Sequence, residues 1–216
     1  MSNAVNITLD EARELVSNRL LWPRVRDFLW DFAPQVHESW LDPNQLPLKD
    51  SPRVKRYILD SLGVEPCFHA FPEEDGSRIL LLDGATLESV AKWLGALASA
   101  ESLRRVTSGE VVRGLKSTLR GIYPEVFGYT AYFKESDFQR RDAETLSAQS
   151  LQTAVVEEGC SLLQSVLADL PSPIVARLKF KLPKGLCASA PLREVKLSTV
   201  LRLFKLKFPE AYRLCC

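Results

Sequence analysis

Between Thr86 and Leu170 apolar residues return every three or four positions, and that period, rather than the two-residue alternation of strands, most constrains what the chain can fold into. Leu87, Val90, Leu94 and Leu97 form one stripe, and Leu103 and Val106 belong to a further helix. Val111, Val112, Leu115, Leu119 and Ile122 extend the pattern until Tyr123-Pro124. After a polar segment over residues 134–145, the longest pattern runs through Leu146, Leu151, Val155, Leu162, Leu163, Val166 and Leu170, ending at Pro171-Ser172-Pro173. Helices of this kind joined by about two to five residues pack as antiparallel neighbours.

The N-terminal part reads as shorter helices separated by prolines. Thr8 followed by Glu11 is a capping box, and Leu9, Ala12, Val16 and Leu20 give a first helix that Trp22-Pro23 interrupts. Pro23 suits the first turn of a second helix with Val25, Phe28, Leu29 and Phe32 on its apolar face, closed by Ala33-Pro34. Residues 34–52 hold prolines at 34, 43, 47 and 52 and predict an ordered loop pinned by Trp40 and Leu41. Ser51-Pro52 restarts a helix with Val54, Tyr57, Ile58 and Leu62 on one face, and Gly63 is placed to stop it in the left-handed conformation. Ile79–Leu82 fits either a short strand or a buried helical turn.

Residues 174–182 also carry two periods. Leu178, Phe180 and Leu182 alternate with Lys179 and Lys181, whereas Ile174, Leu178 and Leu182 are four apart, and the helix is preferred because no partner strand is evident. A final helix over residues 192–208 is expected to bury Leu197, Leu201, Phe204 and Phe208 and to expose Lys196, Arg202, Lys205 and Lys207. With no internal repeat and no Gly/Ser linker, the expectation is an all-α fold: one compact multi-helix domain over residues 1–216 with an irregular Pro-rich loop near its N-terminus.

Charge is unevenly spread. Residues 174–216 carry ten Lys/Arg against two acids, and residues 1–173 carry eighteen against twenty-five, although the formal net charge is only +1. The basic end suits an acidic partner, a nucleic acid, an anionic lipid surface or the acidic remainder of its own chain. The five cysteines, at 67, 160, 187, 215 and 216, lack framework spacing, so no disulfide is expected. No apolar run reaches the roughly 18 residues of a membrane span, and the first residues lack a signal-peptide pattern, which predicts a cytoplasmic protein without membrane insertion.

Catalytic constellations are not found. The glycine pairs lack the context of a phosphate loop, and no serine sits in a nucleophile elbow. His37 and His69 are the two histidines; Cys67 and His69 are two apart without a second pair at zinc spacing, so no metal is expected. Phe68 and Phe71 read instead as plugs of the core, and Cys215-Cys216 as an incidental exposed pair. The turn Glu73-Glu74-Asp75-Gly76 reads as solvated, and Glu157-Glu158 lacks the Glu-x-x-His partner of a bundle di-metal site. No cofactor is implied, and the chain reads as a non-enzyme that binds other proteins. The competing reading is a basic-tailed, helical nucleic-acid-binding protein using Lys196, Arg202, Lys205 and Lys207, but helix-turn-helix spacing and a base-stacking platform are missing.

Several strings, in order along the chain, carry a family resemblance. The segment Phe28-Leu29-Trp30-Asp31-Phe32-Ala33-Pro34-Gln35-Val36-His37-Glu38-Ser39-Trp40, followed by Gln45-Leu46-Pro47, resembles the N-terminal signature of the type III secretion sorting-platform family SctK, also called YscK or PscK. Leu80-Leu81-Leu82, Trp93-Leu94-Gly95 and Leu103-Arg104-Arg105 resemble its central helices. Ala176-Arg177-Leu178-Lys179-Phe180-Lys181-Leu182-Pro183 and Phe208-Pro209-Glu210-Ala211-Tyr212 resemble its later motifs. The resemblance implies a non-enzymatic adaptor of the injectisome, cytoplasmic and peripheral to the inner membrane. Such an adaptor links the cytoplasmic domain of the ring protein SctD to the pod protein SctQ, and so indirectly SctL and the ATPase SctN. Lys196, Arg202, Lys205, Lys207 and Trp40 are the candidate partner-binding residues.

Overall fold

The computed structural model describes residues 9–42, 44, 47, 49–64, 71–72, 74–134, 137–140, 151–186 and 193–216. Among the described residues the fold is all-α in class, mostly helical with two three-residue strands. Its helices are α1 (Leu9–Ser17), α2 (Leu21–Trp30), α3 (Pro52–Ser61), α4 (Gly84–Ala98), α5 (Ala100–Arg104), α6 (Gly109–Leu119), α7 (Ile122–Tyr129), α8 (Leu151–Val166), α9 (Ser172–Lys181), α10 (Leu197–Lys207) and α11 (Pro209–Cys215). Two short strands, β1 (Phe138–Arg140) and β2 (Arg193–Val195), pair antiparallel with Phe138 opposite Val195. The chain divides into two compact units, residues 1–84 with 169–184 and 204–216, and residues 85–168 with 185–203.

In the first unit α2 begins where Asn18 Oδ1 accepts the N–H groups of Leu20 and Leu21 at 3.1 and 3.0 Å. The break between α1 and α2 therefore falls at residues 18–20, and Pro23, with no N–H to lose, sits inside the first turn of α2. The expected face of α2 is buried as Leu21, Val25, Phe28 and Leu29, with Phe32 beyond it. Along α1 the register differs: Leu15 is buried, whereas Val16 and Leu20 are exposed, and Thr8 lies outside the described residues. Phe28 meets Phe32 and Phe71 edge to face at centroid distances of 5.6 and 5.5 Å, so Phe71 does plug this core; Cys67, Phe68 and His69 lie outside the described residues.

α3 ends as its glycine dictates. Gly63 has φ +63°, its N–H donates to Asp60 O and that of Val64 reaches back to Leu59 O at 2.9 Å, which satisfies two carbonyls that a helix C-terminus leaves open. Ile58 carries the burial of α3, while Tyr57, expected on the apolar face, is exposed. Ile79–Leu82 resolves into the helical alternative: a 3₁₀ turn over Ser77–Leu81 with Ile79, Leu80, Leu81 and Leu82 all buried. The four-residue spacing of Ile174, Leu178 and Leu182 also wins, giving α9.

The second unit is organised by a close crossing of α4 and α8. A Cβ on Gly95 would collide with the carbonyl oxygen of Val155, and one on Gly159 with that of Ala91. The two helices thus touch backbone to backbone where both lack a side chain. Leu87, Val90, Leu94, Val155, Leu162 and Leu163 fill the core around this crossing. Tyr123-Pro124 does not end a helix as expected; α6 stops at Leu119 and Pro124 lies in the first turn of α7.

The final helix departs most from expectation. Its first turn, expected from residue 192, is instead β2, which pins buried Val195 against buried Phe138. The register of α10 is also shifted, since Val200, Leu203 and Phe204 are buried while Leu197, Leu201 and Phe208 are half-buried. α11 follows as a separate helix that buries Ala211 and Cys215. The expected exposed thiol pair is therefore split: Cys215 is buried and Cys216 exposed.

Candidate partner-binding surface

α9 buries two cations. Arg177 and Lys181 are one turn apart on the face that also carries Ile174 and Leu178. The Arg177 guanidinium donates to Phe28 O, near the C-terminal end of α2, and lies 5.1 and 5.2 Å from the Phe28 and Phe32 ring centroids. Lys181 Nζ donates to Leu80 O and Leu82 O at 2.6 and 2.8 Å and lies 5.2 Å from the centroid of the same Phe28 ring. Helix and turn ends expose carbonyls with a partial negative charge, which is where buried cations find partners. Burial pulls the Lys181 ammonium down to about 7; Asp83 offsets this in part, and Arg24 and Arg177 add to it. A neutral amine keeps two N–H groups, enough for both carbonyls.

The outer side of α9 is different. Its C-terminal carbonyls are taken by the proline-rich loop: the His37 N–H donates to Phe180 O at 2.7 Å and Trp40 Nε1 to Leu182 O at 2.8 Å. Trp40 also meets Phe180 edge to face at 5.1 Å. The described part of the loop is pinned by Trp40 and buried Leu41 as expected; residues 43, 45, 46 and 48 lie outside the described residues. Next to it, Ser39 Oγ accepts the Lys184 N–H and lies 2.8 Å from His37 Nδ1. The ammonium groups of Lys179 and Lys184 both hover over the Trp40 ring, 5.3 and 5.6 Å from its centroid. Both lysines are exposed.

The other expected binding residues are placed as follows. Lys196 is exposed just before α10, where its carbonyl accepts the N–H groups of Thr199 and Val200. Arg202 is committed within the second unit: it donates to Tyr132 O at 2.9 Å, pairs with Asp137 at 3.1 Å and stacks over Phe133 at 5.7 Å. Lys205 is exposed, and Lys207 is half-buried rather than exposed. α10 therefore does not offer four free cations in a row, which weakens the nucleic-acid reading, since that mode needs several phosphate contacts. Lys179 and Lys184 escaped the sequence reading because the string that holds them and the string that holds Trp40 are about 140 residues apart.

Among the described residues no three His, Cys, Asp or Glu side chains gather as a metal site, and no helix is long and apolar enough to cross a membrane. Glu157 and Glu158 are half-buried on α8, and Asp75 is used locally, accepting the Ser77 N–H at 2.8 Å. A family model described as YOP proteins translocation protein K (YscK) matches residues 26–207. The chain belongs to the YscK family. Membership makes it a component of a type III secretion apparatus, and the matched span takes in the C-terminal half of α2, the Trp40 loop, both glycines of the helix crossing, α9 and α10. No curated protein and no solved structure matches the chain.

Proposed function

We propose that the chain is a non-enzymatic adaptor of the type III secretion sorting platform, joining the cytoplasmic domain of the inner-membrane ring protein SctD to the pod protein SctQ. Through the pod it serves SctL and the ATPase SctN. The observation that carries this reading is the family match across residues 26–207, which spans most of the chain. The side-chain chemistry agrees: the buried cations of α9 are spent on backbone carbonyls, while Trp30, Tyr57 and Tyr132 are exposed aromatics of the kind that anchor protein interfaces.

Binding of the purified chain to SctQ-like and SctD-like cytoplasmic proteins from the same organism tests the reading. Micromolar or tighter binding to both supports it; binding to neither overturns it. Truncation at residue 192 is unsuitable for this experiment, because Phe204, Ala211 and Cys215 belong to the buried core of the first unit. Point substitutions on the surface replace it.

A further inference from the structure

The surface formed by Trp40, Lys179 and Lys184 holds an imbalance of charge. Two ammonium groups are gathered on one indole ring, and among the described residues no carboxylate pairs with either of them. Their like charges repel, and a solvent-exposed cation over an aromatic ring returns only about 0.5–1 kcal/mol. The position is nevertheless built. Trp40 is tied to Leu182 O and packed on Phe180, Ser39 holds the backbone of Lys184, and Lys179 projects from α9 itself. The indole N–H is already used by Leu182 O, so the ring acts as a platform and not as a donor.

From this geometry we infer that the Trp40, Lys179 and Lys184 surface receives an acidic segment of a partner protein, in which Asp or Glu carboxylates sit between the two ammonium groups and an apolar side chain lies on the indole. The inference rests on the adaptor reading and names the chemistry of one of its contacts. A carboxylate there supplies the missing counter-charge and turns two repelling cations into a clamp. A polyphosphate backbone fits less well, because two lysines make a short footprint.

The test uses the full chain with the reversals Lys179→Glu and Lys184→Glu combined, titrated against the SctQ-like and SctD-like proteins at low and high salt. Both lysines are exposed, so folding should be unchanged, which a thermal melt verifies. Trp40 is avoided as a test position because it stitches the loop to α9. The expected result is an affinity loss of about tenfold or more for one of the two proteins, with a flatter salt dependence. Lys116→Glu, exposed on α6 and outside the candidate surface, should leave that affinity unchanged. A correctly folded double variant that binds both proteins as the parent does would overturn this inference while leaving the adaptor reading standing. Failure of the parent chain to bind either protein would overturn both. Loss of duplex DNA binding in the double variant, with protein binding intact, would reassign the surface to nucleic acid and overturn the proposal.

Discussion

The two units of this chain solve the same problem, packing one helix against the rest, by opposite means. In the first, α9 sends Arg177 and Lys181 into the core to meet carbonyls at the ends of α2 and of the 3₁₀ turn. In the second, α4 and α8 cross at Gly95 and Gly159 with no side chain between them. The difference follows from which part of a helix is met. An end presents carbonyls without intrahelical partners, so a long cation reaching it satisfies groups that would otherwise be buried unpaired. A mid-helix crossing has no open carbonyl to satisfy, and closest approach is reached by removing the Cβ.

The largest effect that would break this comparison is expected from Gly159→Leu. The side chain would have to displace the backbone of α4 at Ala91, a rigid neighbour, so we expect a loss of roughly 3 kcal/mol or more. Gly159→Ala is the sharper version. Alanine favours an ordinary helix interior by about 1 kcal/mol, yet here it should destabilise, and a denaturant titration reads the sign. In the first unit, Arg177→Met keeps the aliphatic packing and strands Phe28 O. A loss of about 3 kcal/mol is expected from chemical denaturation, since charged hydrogen bonds to buried groups are among the costlier ones to remove.

The pH dependence arises in the first unit, which holds both Lys181 and Cys215. Lys181 titrates at about 7 in the folded chain and near 10.5 when unfolded. Between those values the unfolded chain holds the extra proton, so stability rises with pH. From pH 7 to 9 the gain should be about 2 kcal/mol, read as a rise in melting temperature that Lys181→Met abolishes. Above pH 9 the sign of a second group opposes it. Burial, with a smaller effect of Cys216, pushes the Cys215 thiol up to about 12, so the folded chain keeps a proton that the unfolded chain releases, and the rise should level off. The smallest effect is expected at Gly63: alanine in its left-handed conformation should cost about 1 kcal/mol and fray α3.

Much of this architecture is legible from residue spacing. The stripes of α2, α4, α8 and α9 and the glycine stop of α3 follow from a period of three to four and from one residue's backbone freedom. What was not legible depends on tertiary partners. Arg177 and Lys181 lie on the apolar stripe of α9, one residue before Leu178 and Leu182, but long cations are ordinarily read as solvated and their carbonyl partners lie about 100 to 150 residues away. The strands at 138–140 and 193–195 are too short for periodicity and exist because Phe138 and Val195 face each other. That pairing also explains why the last helix starts late and is rotated from its expected register. Of the candidate site, Trp40 was legible as a loop anchor, while the two lysines over its ring were not, and Arg202 turned out to be occupied by Asp137.

The proposed adaptor role requires one chain to hold two components of the secretion apparatus at once. The most direct measurement is light scattering on an equimolar mixture of this chain, the SctD-like cytoplasmic domain and the SctQ-like protein after size-exclusion separation. An adaptor should give a single species whose mass contains all three, absent when this chain is left out. Two separate binary complexes, or unchanged elution of all three proteins, would contradict it.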